Sequence, residues 1–318
     1  MRNILVAGGT GSFAREFISY ALTSQSVEKI IVFSRDEYKQ HQMRVEGFTD
    51  PRLRYFLGDI RDYNRLCRAM HDVDTVIHAA ALKQVPSCEY NYSECIETNV
   101  GGSLNIADAA IDCGVERAIL LSSDKATEPA NTYGKSKALA ESIFINANAY
   151  ASGTDTKLSV VRYGNVIGSR GSVIPLFLQQ KEAGKITITD SRMTRFWMTL
   201  QQAVFLVADS LGKMQGGEIF IPSLPSCKVT DIAEAIAPDC KQEIIGIRPG
   251  EKLHETLISE IESANTVKLG ERFIIYPQHT WFERKRYIGE AMPISAYSSD
   301  TNEQRLTIPE IREMVSRL

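Results

Sequence analysis

The stretch from Ser123 to Lys137 carries hydroxyl, phenol and amine groups at a spacing that suits proton and hydride chemistry. Tyr133 and Lys137 stand four residues apart, which places both side chains on one face of a helix. An ammonium group near a phenol lowers the pKa of the phenol. The pair therefore predicts a tyrosine that removes a proton from a substrate hydroxyl, with Ser123 steadying that hydroxyl. The alternative is an exposed tyrosine beside a solvated lysine.

A second group of residues, from Gly8 to Ala14, could bind phosphate. It lies between the first predicted strand and the first predicted helix, where a dinucleotide pyrophosphate contacts the amides of the helix N-terminus. The spacing is G-x-x-G-x-x-G with Ala14 in place of the third glycine. We predict a dinucleotide site; the alternative is a tight turn with a structural role only. The predicted contacts in this loop are Gly8, Thr10, Gly11, Ser12 and Phe13.

The end of the second predicted strand favours NADP over NAD. Ser34 and Arg35 come first, and Lys39 follows about one helical turn later. An arginine at this position accommodates a 2′-phosphate, whereas an acidic residue binds the free ribose hydroxyls. The alternative is an NAD site in which Asp36 binds the ribose and Arg35 faces solvent.

The third predicted strand is followed by Asp59 and Ile60, both predicted to contact the cofactor. The carboxylate of Asp59 could accept a hydrogen bond from the adenine amino group. The alternative role for Asp59 is to cap a helix, and for that role Asp62 is the better candidate.

Six short apolar segments alternate with stretches of helix length in the first half of the chain. Continuous apolar runs are typical of strands buried on both faces, and their alternation with helices implies right-handed crossovers and parallel pairing. The predicted fold is α/β, a doubly wound parallel sheet of the Rossmann type. The predicted strands are Ile4 to Ala7, Ile30 to Phe33, Leu53 to Leu57, Thr75 to Ala79, Ala118 to Leu121 and Leu158 to Arg162.

Beyond Tyr163 the pattern becomes irregular, which predicts a smaller, mixed α/β substrate-binding C-terminal region. A capping box of Thr199 and Gln202 begins one helix, and the strand after it, Glu218 to Ile221, is predicted to return to the main sheet. Thr307 and Glu310 are predicted to cap a last helix. The cofactor domain is therefore predicted to hold residues 1–166 and 199–222, and the substrate region residues 167–198 and 223–318.

The composition excludes several classes of protein. The 318 residues include 36 Lys and Arg against 39 Asp and Glu, a net charge of −3 that offers no bulk attraction to nucleic acid or anionic lipid. The six cysteines form no Cys-x-x-Cys pair, and the histidines show no metal-ligand spacing. No stretch approaches the roughly 20 apolar residues of a membrane span. We expect a cytoplasmic protein with no metal, nucleic-acid or membrane partner, and interpret the run Glu283 to Arg286 as a solvated face.

The chain resembles the extended short-chain dehydrogenase/reductase family in the order of its motifs, which are the phosphate loop, then Ser123, then the Tyr133–Lys137 pair. That family contains epimerases and dehydratases of nucleotide-activated sugars. Further segments are similar to the inverting UDP-N-acetylglucosamine 4,6-dehydratases of pseudaminic acid biosynthesis, and the likeness runs from residue 3 to about residue 276. The chain departs from that pattern at Ala14, at Ser123 where threonine is usual, and after Tyr276. The similar segments are Asp124-Lys125, His78 to Pro86, Arg162 to Pro175, Asp190 to Trp197 and Ile247 to Glu255.

The resemblance implies that Asp124 and Lys125 carry a water elimination. After oxidation at carbon 4, with Tyr133 and Lys137 assisting, the carbon-5 proton is acidic; Lys125 would remove it as a base and Asp124 would protonate the departing carbon-6 hydroxyl. Hydride would then return to carbon 6 and a proton to carbon 5. Burial would favour both the neutral amine and the protonated carboxyl group that these roles need. The alternative is an exposed ion pair in a turn.

The resemblance also implies a set of binding residues and a homo-oligomer. Ala79, Ala80 and Ala81 would line the nicotinamide channel, and Lys83 would reach the cofactor or the sugar phosphates. The residues implied to hold the UDP-sugar are Asn165, Val173, Arg195, Arg248 and Glu251. Three alternatives stay open: a retaining 4,6-dehydratase, a 4-epimerase of a UDP-sugar, and a non-catalytic protein that senses NADP.

Overall fold

The structure is a computed structural model that describes residues 1–168, 173–279 and 287–317. Its strands are β1 Asn3–Ala7, β2 Lys29–Ser34, β3 Leu53–Leu57, β4 Thr75–His78, β5 Arg117–Ser123, β6 Lys157–Tyr163, β7 Asn165–Val166, β8 Lys185–Ile188, β9 Thr194–Met198, β10 Ile219–Pro222, β11 Ser226–Lys228, β12 Lys241–Ile244, β13 Thr256–Ile258, β14 Thr266–Lys268, β15 Arg272–Ile275, β16 Glu290–Ala291 and β17 Tyr297–Ser298. Its α-helices are α1 Ser12–Leu22, α2 Glu37–Val45, α3 Tyr63–Ala69, α4 Val85–Tyr90, α5 Tyr92–Ile96, α6 Gly102–Asp112, α7 Thr132–Tyr150, α8 Val173–Glu182, α9 Leu200–Lys213, α10 Val229–Ile236, α11 Glu260–Ser263 and α12 Ile308–Ser316. A π-helical turn spans Glu97–Gly101, and a 3₁₀ turn spans Asp124–Ala126.

The main sheet places its strands in the order β16-β14-β15-β10-β6-β5-β4-β1-β2-β3. The run from β10 to β3 is parallel throughout, and all six predicted apolar segments lie in it as strands. The predicted doubly wound α/β fold is thereby confirmed. Because the strand order reverses between β1 and β4, a crevice opens at their carboxyl ends, where such folds bind their ligands.

The apolar runs of the parallel strands are continuous because helices cover both faces of the sheet. In β1, Leu5 packs with Ile106 of α6 and Phe144 of α7, whereas its neighbour Ile4 packs in a separate cluster with Phe17 of α1 and Val207 of α9. Adjacent side chains on a strand point to opposite faces, so both must be apolar when both faces are buried.

The second half of the chain follows the predicted elements and adds an antiparallel extension. The capping boxes Thr199/Gln202 and Thr307/Glu310 begin α9 and α12, as predicted. Strand β10 pairs in parallel with β6, so the predicted return to the sheet is confirmed. Strands β15, β14 and β16 then extend the sheet antiparallel, although the sequence assigns their residues to the substrate region.

The rest of the C-terminal region is built on short sheets, β11-β9-β7, β12-β8 and β13-β17, beside a third apolar cluster. That cluster joins α8, α10 and α12 through residues such as Phe177, Ile232 and Ile311. Within the described ranges, no helix is both long and apolar enough to cross a membrane. Two sequence features, the basic run Glu283 to Arg286 and residues 169–172 of the motif Arg162 to Pro175, lie outside those ranges.

Candidate active site

The phosphate loop lies directly against the chain that leaves β4. Gly8 has φ +78°, and a Cβ on it would be 2.7 Å from the amide nitrogen of Ala80, so no larger residue fits. The Gly8 amide donates to the carbonyl of Phe33, and the Gly11 amide to the carbonyl of Gly8, both at 2.9 Å. The turn aims the first amides of α1 into the crevice between β1 and β4, as binding of a pyrophosphate requires.

This crevice is a cleft of about 340 Å³. Most of the predicted cofactor residues line it: Gly8, Thr10, Gly11, Ser34, Arg35, Lys39, Asp59, Ile60, Ala79, Ala80 and Ala81. The wall is completed by Asp36, which the sequence named only for the alternative NAD site, and by residues to which it gave no role. The full set is Phe33, Asp36, Gly58, Leu82 and Thr98. Each of the first three ends or follows a strand on the same sheet edge, and this placement is the signal that could have identified them. Ser12 and Phe13, also predicted to contact the cofactor, begin α1 and are not among the residues that line the cleft; the Phe13 ring stacks on Phe17, 6.0 Å away.

The residues predicted to select NADP are arranged around one opening of the cleft. Asp36 caps α2 by accepting from the Lys39 amide at 2.9 Å, and its carboxylate pairs with Lys39 Nζ at 2.7 Å. These bonds from Lys39 hold the pKa of Asp36 below its usual range. Arg35 is half exposed, and Ser34 shares a hydrogen bond with Thr10 at 3.2 Å. A carboxylate already engaged by a helix cap and an ion pair is a poor ligand for ribose hydroxyls.

Asp59 lies between two arginines, 2.9 Å from Arg61 and 3.3 Å from Arg35. Burial acts to raise the pKa of this carboxyl group, but the hydrogen bonds from the arginines outweigh it and the pKa is lowered. Asp62, not Asp59, caps α3 by accepting from the Arg65 amide at 2.9 Å, which confirms the predicted cap. Asp59 is therefore an ionised hydrogen-bond acceptor in the cleft wall.

The catalytic segment is assembled by close packing of the 3₁₀ turn against the first turn of α7. Asn131 caps α7 by accepting from the Gly134 amide at 2.7 Å. A Cβ on Gly134 would lie 2.3 Å from the carbonyl oxygen of Lys125, so glycine is required there. The packing brings the Tyr133 phenol into electrostatic contact with Lys125 and Asp124 and within hydrogen-bonding reach of Ser123.

Tyr133 and Lys137 lie on one face of α7, and both are buried. Burial lowers the pKa of Lys137 to about 8, and its ammonium group donates to the carbonyl of Leu121 at 2.7 Å. Burial raises the pKa of Tyr133 to about 12; Lys125 and the hydrogen bond from Ser123 lower it, but they do not overcome burial. The sequence predicted a lowered pKa, and for the protein's own groups that prediction is wrong because burial costs the phenolate its solvation.

Asp124 and Lys125 form an ion pair that is not an exposed one, because Asp124 is buried and Lys125 is half-buried. Asp124 Oδ1 accepts from Ser123 Oγ at 2.8 Å and from Lys125 Nζ at 3.0 Å. Lys125 Nζ also lies 3.2 Å from Oε1 of Glu255, a buried residue to which the sequence gave no role. Burial acts to lower the pKa of Lys125, but the two carboxylates outweigh it and the pKa is raised. The expectation that burial makes Lys125 neutral is therefore corrected.

The segment from Arg248 to Glu255 docks on this assembly. Asn131 donates to the carbonyl of Gly250 at 2.8 Å, and Lys252 donates to the carbonyl of Thr127 at 2.5 Å. Two of the predicted sugar ligands, Arg248 and Glu251, pair with each other at 2.6 Å, with Arg248 largely exposed. The cap of α7 thus also holds the loop predicted to bind substrate.

Arg195 lies behind that loop. Its guanidinium donates to the carbonyls of Thr194, Leu253 and Lys252 at 2.7 to 3.0 Å, and its Nε is 3.8 Å from Glu255. The sequence predicted it as a ligand of the UDP-sugar; the structure shows that it also orders the loop.

The other predicted substrate residues lie on neighbouring elements. Asn165 begins β7 in register with Trp197, Val173 begins α8, and Lys83 is exposed between β4 and α4. Across the described part of the chain, no group of three or more His, Cys, Asp or Glu side chains could hold a metal ion. The structure places a cleft beside a phenol, a hydroxyl, an amine and a carboxyl group that are buried or half-buried; Leu82 lines the cleft and packs against the cluster that contains Tyr133. These groups suit hydride transfer combined with acid–base chemistry.

Comparison with known proteins agrees with this geometry. Residues 4–277 match the model of the family described as "Polysaccharide biosynthesis protein". The chain is 45% identical to the inverting UDP-N-acetylglucosamine 4,6-dehydratase of Campylobacter jejuni over 99% of this chain and 97% of that protein. It is 41% identical to a UDP-glucose 4-epimerase of Rickettsia massiliae over 100% of this chain and 96% of that protein.

Two solved structures are similar as well. Pen from Bacillus thuringiensis has a TM-score of 0.92 and 37% identity over 99% of this chain and 97% of its own. DesIV, a dTDP-glucose 4,6-dehydratase from Streptomyces venezuelae solved with NAD bound, has a TM-score of 0.71 and 25% identity over 80% of this chain and 87% of its own.

Proposed function

The chain belongs to the family of polysaccharide biosynthesis proteins, and we propose that within it this protein is a UDP-N-acetylglucosamine 4,6-dehydratase that inverts carbon 5. The product would be UDP-2-acetamido-2,6-dideoxy-β-L-arabino-hex-4-ulose. The observation that carries the proposal is the contact of Asp124 with Lys125, at 3.0 Å, beside the Tyr133 phenol. The C. jejuni relative, which is named for the same activity, supports it.

This pair favours a dehydratase over a 4-epimerase. An epimerase needs only a phenol and a cofactor to move hydride at carbon 4. Elimination of the carbon-6 hydroxyl needs in addition a base for the carbon-5 proton and an acid for the leaving oxygen. Asp124 and Lys125 supply a carboxyl group and an amine next to Tyr133, and withdrawing this pair from solvent, with Asp124 buried and Lys125 half-buried, is costly unless the groups serve a purpose.

The cleft fits a nicotinamide dinucleotide, because Gly8 lets the phosphate loop turn tightly against Ala80 and because Ala79, Ala80 and Ala81 form part of the cleft wall. Such a cofactor supplies reversible storage of hydride. We propose NADP, since Arg35 is half exposed at the mouth while the Asp36 carboxylate is held by Lys39. NAD, which is bound in the DesIV structure, is the alternative.

Within the site, each side chain is given a role by its contacts. Tyr133 takes the proton of the carbon-4 hydroxyl as a phenolate, and Ser123 steadies that hydroxyl by hydrogen bonding. Because burial raises the pKa of Tyr133 to about 12 in the protein alone, the positive charge of the bound oxidised cofactor would have to stabilise the phenolate. Lys137, whose pKa is lowered to about 8 by burial, is held by the Leu121 carbonyl. Lys125 removes the carbon-5 proton as an amine, and Asp124 protonates the departing hydroxyl.

The nucleotide sugar would lie between the cleft and the loop that docks on α7. A pyrophosphate calls for arginine and amide donors, and a uridine ribose calls for a carboxylate acceptor. We assign Arg248, Arg195 and Asn165 to the first group, Glu251 to the ribose and Val173 to the apolar wall. Lys83 would reach the phosphates of cofactor or sugar from the β4 exit.

Further parts of the proposal rest on the family. We propose a homo-oligomer in the cytoplasm that feeds pseudaminic acid synthesis, with residues 1–166 and 199–222 as the cofactor domain and residues 167–198 and 223–318 as the substrate region. All six cysteines are free thiols in the structure, as is usual in a reducing compartment.

Proton NMR of the purified protein with UDP-N-acetylglucosamine and NADP tests the proposal. In heavy water we expect a new carbon-6 methyl signal and deuterium at carbon 5. In light water an inverted product lacks the Overhauser contact between the protons of carbons 3 and 5, which a retaining enzyme preserves. Lys125→Met is expected to slow the appearance of the methyl signal about 100-fold or more, and Lys185→Met, at an exposed ion pair on β8, is the matched control that keeps the wild-type rate.

The rival functions give different spectra. A 4-epimerase yields a galacto-configured sugar without a methyl signal and without deuterium at carbon 5. A protein that only senses NADP binds the cofactor, leaves the sugar unchanged, and loses nothing when Tyr133 is replaced by Phe. Either spectrum would reject the dehydratase.

A further inference from the structure

Glu255 is a buried carboxylate whose position in the active site the sequence did not reveal. It is 2% exposed and stands just before β13. Its Oε1 lies 3.2 Å from Lys125 Nζ and 3.8 Å from Arg195 Nε. Its Oε2 is fully buried and has no hydrogen-bond partner among the described residues. An ionised oxygen without a partner in the interior is destabilising, so stability alone does not account for this residue.

The backbone holds Glu255 in a fixed place. Its amide donates to the hydroxyl of Ser299 at 2.9 Å, and the Ser299 amide donates back to the Glu255 carbonyl at 2.8 Å. Ser299 is itself completely buried and shares a hydrogen bond with Thr194 at 2.7 Å. The carboxylate therefore reaches Lys125 from a rigid support on the C-terminal side of the site.

One ammonium group thus lies between two carboxylates, 3.0 Å from Asp124 and 3.2 Å from Glu255. This arrangement holds Lys125 in its charged form, in which it has no lone pair to accept a proton. The amine becomes a base only after one of its protons has moved to a neighbour. Asp124 must itself carry a proton when it acts as the acid for the leaving hydroxyl, so it cannot also take a proton from Lys125, and Glu255 Oε1, at 3.2 Å, is the acceptor within reach.

We propose that Glu255 is a positioning residue that holds Lys125 and accepts one of its protons when the elimination begins, an inference that rests on the dehydratase function proposed above. An N–H bond of the ammonium breaks and an O–H bond forms on Oε1, so an uncharged amine and an uncharged carboxylic acid result. The amine takes the carbon-5 proton, Asp124 gives a proton to the departing hydroxyl, and water leaves. At this stage the protein holds one proton more than before, because Tyr133 and Lys125 have each gained one and Asp124 has lost one; protonation of carbon 5 returns the count to its starting value. When carbon 5 is protonated again, Glu255 returns its proton to Lys125.

The test compares Glu255→Gln with the wild-type holoenzyme on UDP-N-acetylglucosamine. Gln has the same shape but cannot accept the proton, so we expect kcat to fall about 100-fold or more, the usual size of an acid–base contribution, with KM changed less than about twofold. Reduction of bound NADP in a single turnover is expected to persist, because oxidation at carbon 4 does not involve Glu255. Deuterium exchange at carbon 5 is expected to fall with kcat. Glu255→Asp is expected to recover part of the rate.

The pH profile separates this role from a structural one. In Glu255→Gln the proton of Lys125 must leave to solvent, so kcat should rise with pH, whereas the wild-type kcat should stay flat over the same alkaline range. The matched control is Glu218→Gln, because Glu218 is equally buried but stands before β10, at the opposite end of the parallel strands. Glu218→Gln is expected to keep the wild-type kcat and the wild-type dependence of kcat on pH.

Lys125→Met provides a second background in case Glu255→Gln does not fold. The double variant Lys125→Met/Glu255→Gln removes both charges of the pair. We expect it to turn over at the same residual rate as Lys125→Met alone. The inference is overturned if the double variant is slower than Lys125→Met. It is also overturned if Glu255→Gln loses NADP reduction and carbon-5 exchange equally, or if its kcat is lower than that of the wild type by the same factor at every pH. If the wild-type enzyme neither reduces NADP nor forms a methyl group, the proposed function itself has failed.

Discussion

Replacing Gly134 by Ala should disrupt the active site without touching any chemical group. The added Cβ would lie 2.3 Å from the carbonyl oxygen of Lys125 and 3.2 Å from Pro129. The closest obstacle is backbone, which cannot rotate away as a side chain can. The 3₁₀ turn and α7 must therefore separate, and Tyr133, Asp124 and Lys125 move with them.

The magnitude follows from this overlap. The contact is about 1 Å shorter than an ordinary carbon–oxygen contact, and a misplacement of about 1 Å can cost about 100-fold in rate. Overpacking in a core typically costs about 1–3 kcal/mol of unfolding free energy. We therefore expect kcat to fall about 100-fold and the urea midpoint to drop, as measured by NMR turnover and by equilibrium unfolding.

The matched control is Gly212→Ala in α9, where a Cβ would meet nothing within 4 Å. There alanine is expected to leave kcat unchanged and to stabilise the helix by up to about 1 kcal/mol. If Gly134→Ala keeps kcat within twofold of wild type and unfolds at the same urea concentration, the packing argument for the site is refuted.

Three further predictions address the cofactor, the core and the buried lysine. Arg35 lines the cleft, and Arg35→Ala should raise the KM for NADP about 10- to 100-fold while changing the KM for NAD little. The reason is that a charge-assisted hydrogen bond to the 2′-phosphate contributes about 1.5–3 kcal/mol. Equal changes in the two KM values would contradict this. Arg162→Met should lower the free energy of unfolding in urea by about 3–5 kcal/mol, because it removes the cation that lies 2.6 Å from the buried Glu141 carboxylate. A smaller decrease than that caused by Arg2→Met, at an exposed ion pair, would contradict this. Burial lowers the pKa of Lys137 to about 8 in the folded state, whereas its pKa is about 10.4 in the unfolded chain. Between these pH values the unfolded chain binds more protons than the folded one, so the free energy of unfolding of the wild type should increase with pH across that window. Lys137→Met should remove that gain, and an unchanged slope of unfolding free energy against pH would refute the assignment.

The parallel half of the fold could be predicted because its signal is local. Each apolar run, such as Ile4 to Ala7, is buried on both faces, and each predicted run lies in a strand of the main sheet. Capping boxes are equally local, and both predicted ones begin a helix. The strands β14 to β16 were missed because they are short, antiparallel and at the sheet edge, where their hydrophobic pattern is weak.

The site was only partly predictable, since part of it depends on contacts that no spacing encodes. Asp124, Lys125 and Tyr133 lie within one loop and helix start, so their order along the chain was informative. Glu255 reaches Lys125 across 130 residues, and Asn131 joins the α7 cap to Gly250 across 119. The charge balance of Lys125 depends on Glu255, so its raised pKa could not be derived without the fold.

Burial also explains why the expected pKa of Tyr133 was wrong. The sequence showed a lysine four residues away but not where its ammonium group points. In the structure Lys137 donates to the Leu121 carbonyl, and burial dominates the phenol. The spacing of two residues on a helix predicts that their side chains lie on the same face. The pKa of one side chain, by contrast, depends on the burial and charge of every group packed around it.

A crystal structure of the Lys125→Met variant with NADP and UDP-N-acetylglucosamine tests the central claim most directly, because the variant should bind substrate without completing the reaction. We predict that the carbon-4 hydroxyl lies within about 3.2 Å of Tyr133 and the carbon-6 hydroxyl within about 3.2 Å of Asp124, the usual reach of proton transfer, with the side chain at position 125 facing carbon 5. A hexose ring bound elsewhere, with Asp124 and position 125 turned away from carbons 5 and 6, would contradict the account.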